Sequence, residues 1–177
     1  MTEELIISGF GGQGVMLMGQ LVAYAGMLEN KNVSWIPSYG PEMRGGTANC
    51  SIIVSDQPIG TPIVTEPTTV VVMNLPSLDK FEPTMKAGGS LISNSSLVAC
   101  NAKRNDINYY EIPANDIANN LGNSKVANMV ILGSLIAATR VVSTESVITA
   151  FAKMFARKPN LLKVNEQALR HGVQYIQ

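Results

Sequence analysis

Cysteine and histidine are nearly absent from this chain, which holds only Cys50, Cys100 and His171. An iron–sulfur or zinc site with four cysteine ligands cannot be built from so few groups. Net charge is absent too, since 13 Lys and Arg balance 13 Asp and Glu. Neither nucleic acid nor an anionic membrane is therefore an expected partner on electrostatic grounds. Long apolar runs are also missing. The longest, residues 126–138, is broken by Asn128, Gly133 and Ser134 and falls short of the ~20 residues of a membrane span. The opening residues, MTEELIISGF, carry two acids where a signal peptide would be basic, so no secretion and a cytoplasmic location are expected. What is present is a large apolar fraction, 46% of 177 residues. That is too much for a disordered chain and enough for the core of one domain spanning residues 1–177.

Strand and helix patterns alternate through the first two-thirds. Residues 5–7 form a short apolar run that leads into a glycine-rich segment, and residues 15–28 read as a helix that is apolar almost all round and so largely buried. Strands are expected at 33–36, 47–55, 68–73, 90–93 and 108–112; the mostly β-branched run at 68–73 suits a parallel strand buried on both faces. Residues 75–86 read as partly helical, with Pro83 ending or kinking the helix. Three helices follow at about 125–139, 144–156 and 160–175, with Ser143 or Thr144 as the cap of the second. The pattern predicts an α/β fold: a Rossmann-like open, mostly parallel sheet flanked by helices, with the C-terminal helices covering it.

Gly9-x-Gly11-x-x-Gly14 lies between the first strand and the first helix. Glycines there permit a tight turn and let a phosphate approach the backbone, while the helix start favours an anion. A nicotinamide enzyme would hold the ribose with an acid at the end of the second strand, where this chain reads Ile36-Pro37-Ser38-Tyr39; Glu29 falls too early, at the helix end. A phosphate loop of the NTPase type needs Lys-Ser/Thr after Gly14, and Val15-Met16 stands there. After the second strand comes Ser38-Tyr39-Gly40-Pro41-Glu42-Met43-Arg44-Gly45-Gly46. It belongs on the same carboxyl edge of the sheet as the glycine loop, where ligands of open α/β sheets bind. Arg44 offers a two-donor partner for phosphate or carboxylate, and Tyr39 a ring and a hydroxyl.

These two motifs together resemble the gamma subunit of the 2-oxoacid:ferredoxin oxidoreductases, in which a G-x-G-G-Q-G loop is followed by S-Y-G-P-E-x-R-G-G. Both stand unbroken here, and a Ser-Asp turn after the third strand and the Asn128-Met129 pair extend the resemblance along most of the chain. The resemblance implies a subunit, inactive alone, of an enzyme of anaerobic metabolism that converts a 2-oxoacid, with 2-oxoglutarate favoured, to an acyl-coenzyme A and reduces ferredoxin. It implies that thiamine diphosphate, Mg²⁺ and the iron–sulfur clusters lie on partner alpha, beta and delta subunits. On this chain it implies coenzyme A phosphates at Gly9, Gly11, Gly12, Gln13 and Gly14. It further implies that Ser38, Tyr39, Glu42, Arg44, Gly45 and Gly46 contact the same ligand or the alpha subunit. No catalytic residue and no metal ligand is assigned.

The remaining candidates have plainer readings. His171 belongs on the polar side of the last helix, Cys50 in a buried strand, and the nine methionines mostly in the core. The helix within residues 126–138 is more apolar than one amphipathic face requires, which marks it as the place to look for a subunit interface. Two other functions compete with the gamma-subunit reading: a stand-alone dinucleotide oxidoreductase, and a structural module whose loops bind only partner chains.

Overall fold

The computed structural model describes residues 1–38 and 47–176. Its strands are β1 (Thr2–Gly9), β2 (Asn32–Ser38), β3 (Ala48–Ser55), β4 (Thr69–Val72), β5 (Ser90–Asn94) and β6 (Asn108–Ile112). They form one sheet in the order β2-β3-β1-β4-β5-β6. β1, β4, β5 and β6 run parallel, and β3 is antiparallel to both its neighbours. The expected open, mostly parallel sheet is present with one departure. The second strand does not lie beside the first; β3 stands between them and leaves β2 at the outer edge. Two antiparallel steps restore the direction, so β2 still points the same way as β1. Ser38 and Ser8 end level with each other, both in register with Asn49.

Successive strand residues face opposite sides of a sheet. Leu5 and Ile7 of β1 and Val71 of β4 face one side, with Met73 just beyond it. They pack against α1 (Val15–Leu28), α3 (Ala114–Asn120), α4 (Ala127–Thr139), α5 (Thr144–Met154) and α6 (Leu162–Ile176). Ile6, Val70 and Val72 face the other side and meet Leu78 and Phe81 of α2 (Leu75–Phe81). The apolar run of β4 is thus covered on both faces, and all four of its residues are buried. α2 stops where Pro83 requires, and a short 3₁₀ turn, Glu82–Thr84, takes over. Ser143 caps α5, its hydroxyl accepting the Ser146 N–H at 3.1 Å. α3 is an element the sequence pattern conceals, because three asparagines and an aspartate in seven residues are poor helix formers. It forms because Ala114 and Ala118 bury against the core.

The expectations for the apolar helices need two corrections. α4 is not an interface helix: every residue from Ala127 to Ile136 is buried within the chain. Its apolar surface is used up by the sheet on one side and by α6 on another. α1 is the less buried of the two, with Met27 62% exposed. Beside it an open apolar groove of about 420 Å³ runs along Ala23, Tyr24, Met27, Trp35 and Met154.

α4 and α6 cross at nearly bare backbone. A Cβ added at Gly133 would run into the Leu169 carbonyl, and one at Gly172 into the Val130 carbonyl. Ser134 adds a hydrogen bond across the crossing, its hydroxyl donating to the Gly172 carbonyl at 3.0 Å. Replacing Gly172 by Ala should therefore destabilise the fold by about 1–3 kcal/mol, since a close-packed contact cannot absorb an extra methyl. Gly60 has open space around its Cβ position, and Gly60→Ala should stay within about 0.5 kcal/mol of the parent. Urea denaturation of both variants checks the contrast.

Candidate functional site

β1 delivers the chain to the carboxyl edge at Gly9, which pairs with Ala48. A Cβ on Gly9 would sit 2.6 Å from the Gln13 Oε1 and 2.7 Å from the Met73 Cβ, so glycine is needed for the turn to close over the end of β4. Gly12 and Gly14 take left-handed backbone angles, φ 91° and 76°, which other residues adopt at a cost. Gly14 then starts α1: its carbonyl accepts the Met18 N–H at 3.0 Å. No side chain caps this start and no acid stands in its first turn. The first N–H groups of the helix thus keep their affinity for an external anion.

Gln13 is an internal strut. Its Oε1 accepts the Phe10 N–H at 2.6 Å, and its Nε2 donates to the Met73 carbonyl at 3.1 Å. Of the two roles open to this amide, bridging to a neighbouring segment is the one its geometry occupies. The loop is thereby tied to the end of β4, and the ligand-facing atoms are left to the backbone.

Across a cavity of about 360 Å³ the glycine loop faces Ser124, Lys125, Ala127 and Asn128, at and just before the start of α4. Met73, Leu97 and Asn115 complete the lining. No acid lines this cavity, and Lys125 is its one charged side chain among the described residues. Asn128 lies directly against Gly14, where a Cβ would collide with its carboxamide. The neighbouring edge is polar: Asn94 Nδ2 donates to Asn115 Oδ1 at 2.8 Å, and Asn74 accepts the Ser77 N–H at 2.9 Å. Asn115, Ser124, Lys125 and Asn128 escape a reading based on the glycine motif. They come from segments far along the chain, and only the Asn128-Met129 pair stood out in the sequence.

Ser38 ends β2 on this same edge, two strands from β1, or about 10 Å at ordinary strand spacing. Tyr39, Glu42, Arg44, Gly45 and Gly46 lie outside the described residues. Among the described residues no acid stands where a dinucleotide ribose would be held. On one side of β1 is β3, which runs the opposite way and presents its start, Ala48 and Asn49, to this edge; on the other is the parallel β4, which ends there in Val72, Met73 and Asn74 without an acid. Glu29 is used elsewhere. Burial pushes its carboxyl up, but hydrogen bonds from the Ser143 N–H, Ser146 and Lys31 outweigh it and hold the group below its ordinary value.

His171 is exposed, as expected. Cys50 is buried against Trp35 and α1, and burial pushes its thiol up to about 12 despite a smaller opposing effect from Trp35. Near Cys100, Lys103 pairs with Asp79 and Arg104 with Asp106. Among the described residues no three His, Cys, Asp or Glu side chains gather as metal ligands, and no helix is long and apolar enough to cross a membrane.

The sequence profile of the pyruvate ferredoxin/flavodoxin oxidoreductase family matches residues 4–175. The chain belongs to this family. It is 35% identical over 170 residues to ketoisovalerate oxidoreductase subunit VorA of Methanothermobacter thermautotrophicus, covering 96% of this chain and 35% of that one. It therefore spans about a third of the length of that relative. It is 38% identical over 149 residues to 2-oxoglutarate synthase subunit KorC of Methanocaldococcus jannaschii, covering 82% and 80% of the two chains. The crystal structure of a keto/oxoacid ferredoxin oxidoreductase gamma subunit from Geobacter sulfurreducens superposes with a TM-score of 0.84 at 30% identity, covering 98% of each chain.

Two outcomes follow for this family member. Gln13→Leu leaves the Phe10 N–H and the Met73 carbonyl without their partner and should cost about 1–3 kcal/mol in urea denaturation. A thiol reagent at pH 8 should modify Cys100 and spare Cys50, whose pKa of about 12 keeps it protonated. Any stability that Cys50 contributes through this shift is complete below the unfolded thiol value and is lost as pH rises toward 12. Mass spectrometry of peptides labelled before and after unfolding checks the order.

Proposed function

We propose that this chain is the gamma subunit of a 2-oxoacid:ferredoxin oxidoreductase and that its glycine-loop cavity receives phosphate groups of coenzyme A. The observation that carries the reading is the cavity between the uncapped start of α1 and Lys125, lined by no acid among the described residues. Its chemistry fits a phosphate ester and disfavours a ribose-anchored dinucleotide. Gly9 and Gln13 shape and brace the loop, while Gly11, Gly12 and Gly14 keep the backbone open to the ligand. Ser38, Tyr39, Glu42, Arg44, Gly45 and Gly46 serve the same ligand or the alpha subunit. Ser38 and Ala48, on either side of this segment's last eight residues, stand at the cavity's edge of the sheet.

The reaction would convert a 2-oxoacid to its acyl-coenzyme A with reduction of ferredoxin. Coenzyme A supplies the thiol that accepts the acyl group, and this chain binds and orients it without a catalytic residue of its own. Two cysteines, one of them buried and protonated, cannot ligate a cluster. In this reading the clusters, thiamine diphosphate and Mg²⁺ belong to alpha, beta and delta partners, in the cytoplasm of an anaerobic cell. The substrate favoured is 2-oxoglutarate. Among its relatives, the 38% identity to a 2-oxoglutarate synthase subunit supports this choice, beside 35% to a ketoisovalerate subunit and 31% to a pyruvate/ketoisovalerate gamma subunit.

Thermal-shift titration of the full chain should show stabilisation by coenzyme A, with no response to NADH or NADP. Stabilisation by NADH alone would favour the dinucleotide reading, and response to neither would favour a structural module. Purification from the native host should recover the chain together with thiamine-binding and cluster-bearing partners; recovery alone would overturn the subunit assignment.

A further inference from the structure

The cavity has two walls, and both are suited to the same charge. α1 begins after Gly14 with no side-chain cap, α4 runs on from a 3₁₀ turn, Ser124–Val126, whose start Asn123 caps, and neither helix has an acid in its first turn. Each helix start carries roughly half a positive charge, and both contribute residues to the one cavity.

Asn128 is the independent sign of a ligand. It stands in the first turn of α4, is only 8% exposed, lies against Gly14 and lines the cavity. Among the described residues its carboxamide has no hydrogen-bond partner. Buried amides are ordinarily paired, and the half-buried ones nearby are: Gln13 holds Phe10 and Met73, and Asn123 accepts the Lys125 N–H at 3.1 Å. On the same edge the buried Asn74 Nδ2 and Asn94 Oδ1 are also without partners among the described residues, and of these asparagines it is Asn128 that lines the cavity. Lys125, three residues before Asn128, lines the same space and forms no ion pair among the described residues.

We propose that Asn128 and Lys125 form the second half of a phosphate clamp, closing on an anion held against residues 12–14. Lys125 supplies the compensating charge, and the neutral Asn128 amide donates to a phosphate oxygen and fixes its orientation. The cavity's 360 Å³ is the liquid volume of about 12 waters. That accommodates a diphosphate and a little of what it carries, so the bulk of a larger coenzyme extends outside. The clamp rests on the preceding reading only for the identity of that larger ligand; the anion follows from the cavity itself.

The test uses isothermal titration of the full chain with inorganic pyrophosphate and with coenzyme A at fixed ionic strength. Asn128→Asp, nearly isosteric, places a carboxylate against the anion and should weaken both ligands at least about tenfold. Lys125→Met should weaken them about three- to tenfold and flatten the salt dependence. Lys163→Met, on the exposed part of α6, should match the parent. Should Asn128→Asp fail to fold, Lys125→Met, at an exposed position, carries the test alone. Pyrophosphate binding that is lost in the variants, without any coenzyme A binding, supports the clamp and removes the coenzyme. Coenzyme A binding that the folded variants keep within twofold overturns the clamp and leaves the coenzyme reading standing. No binding of either ligand to the parent overturns both.

Discussion

The backbone-to-backbone crossing of α4 and α6 is the constraint on which the site depends. With Gly133 and Gly172 at the contact, neither helix can slide without driving a side chain into a carbonyl. The sheet closes the opposite side of α4, so the helix is held from two directions. Its first turn is consequently fixed against the glycine loop, with the Asn128 carboxamide on Gly14. A glycine loop by itself is a compliant element. Here it is braced from below by Gln13 on Met73 and from the side by a helix that has no freedom to withdraw. The cavity is preorganised because both walls are anchored, the loop through Gln13 and the start of α4 through the buried helix behind it.

The sheet was legible in the sequence wherever one signal dominated. The β-branched run at 68–73, the glycine loop and the Pro83 stop each have a single local cause, and each appears in the expected place. The order of the strands was not legible, because a hairpin inserted beside β1 leaves no local trace in the strands it separates. The fate of α4 was hidden for a related reason. An apolar surface states that something must cover it, not whether the cover comes from the same chain. Here the cover is α6, and the decisive residues are two glycines some forty positions apart, neither with a side chain to signal the contact. On the site, the first wall was readable as a motif, while Lys125 and Asn128 became visible only once α4 was packed against the loop. Tyr39, Glu42, Arg44, Gly45 and Gly46 remain known from their motif and their flanking strands.

The inserted strand also bears on which ligand the edge can take. In a dinucleotide fold the strand next to β1 ends at the carboxyl edge and carries an acid for the ribose. Here one neighbour runs backward, so that position holds the beginning of β3, with Ala48 and Asn49. The corresponding C-terminal end is displaced to β2, one strand further from residues 12–14. In the proposed reading the glycine loop is used for a phosphate alone. Opposite it, Lys125 and Asn128 supply what the loop lacks: a cation and a neutral donor, with no carboxylate between them among the described residues. In the proposed reading such a site holds the charged end of its ligand and leaves the attached remainder free to extend toward another chain. That division suits a protein with two thiols, one of them buried and protonated: it can position a thiol-bearing ligand whose chemistry is carried out elsewhere.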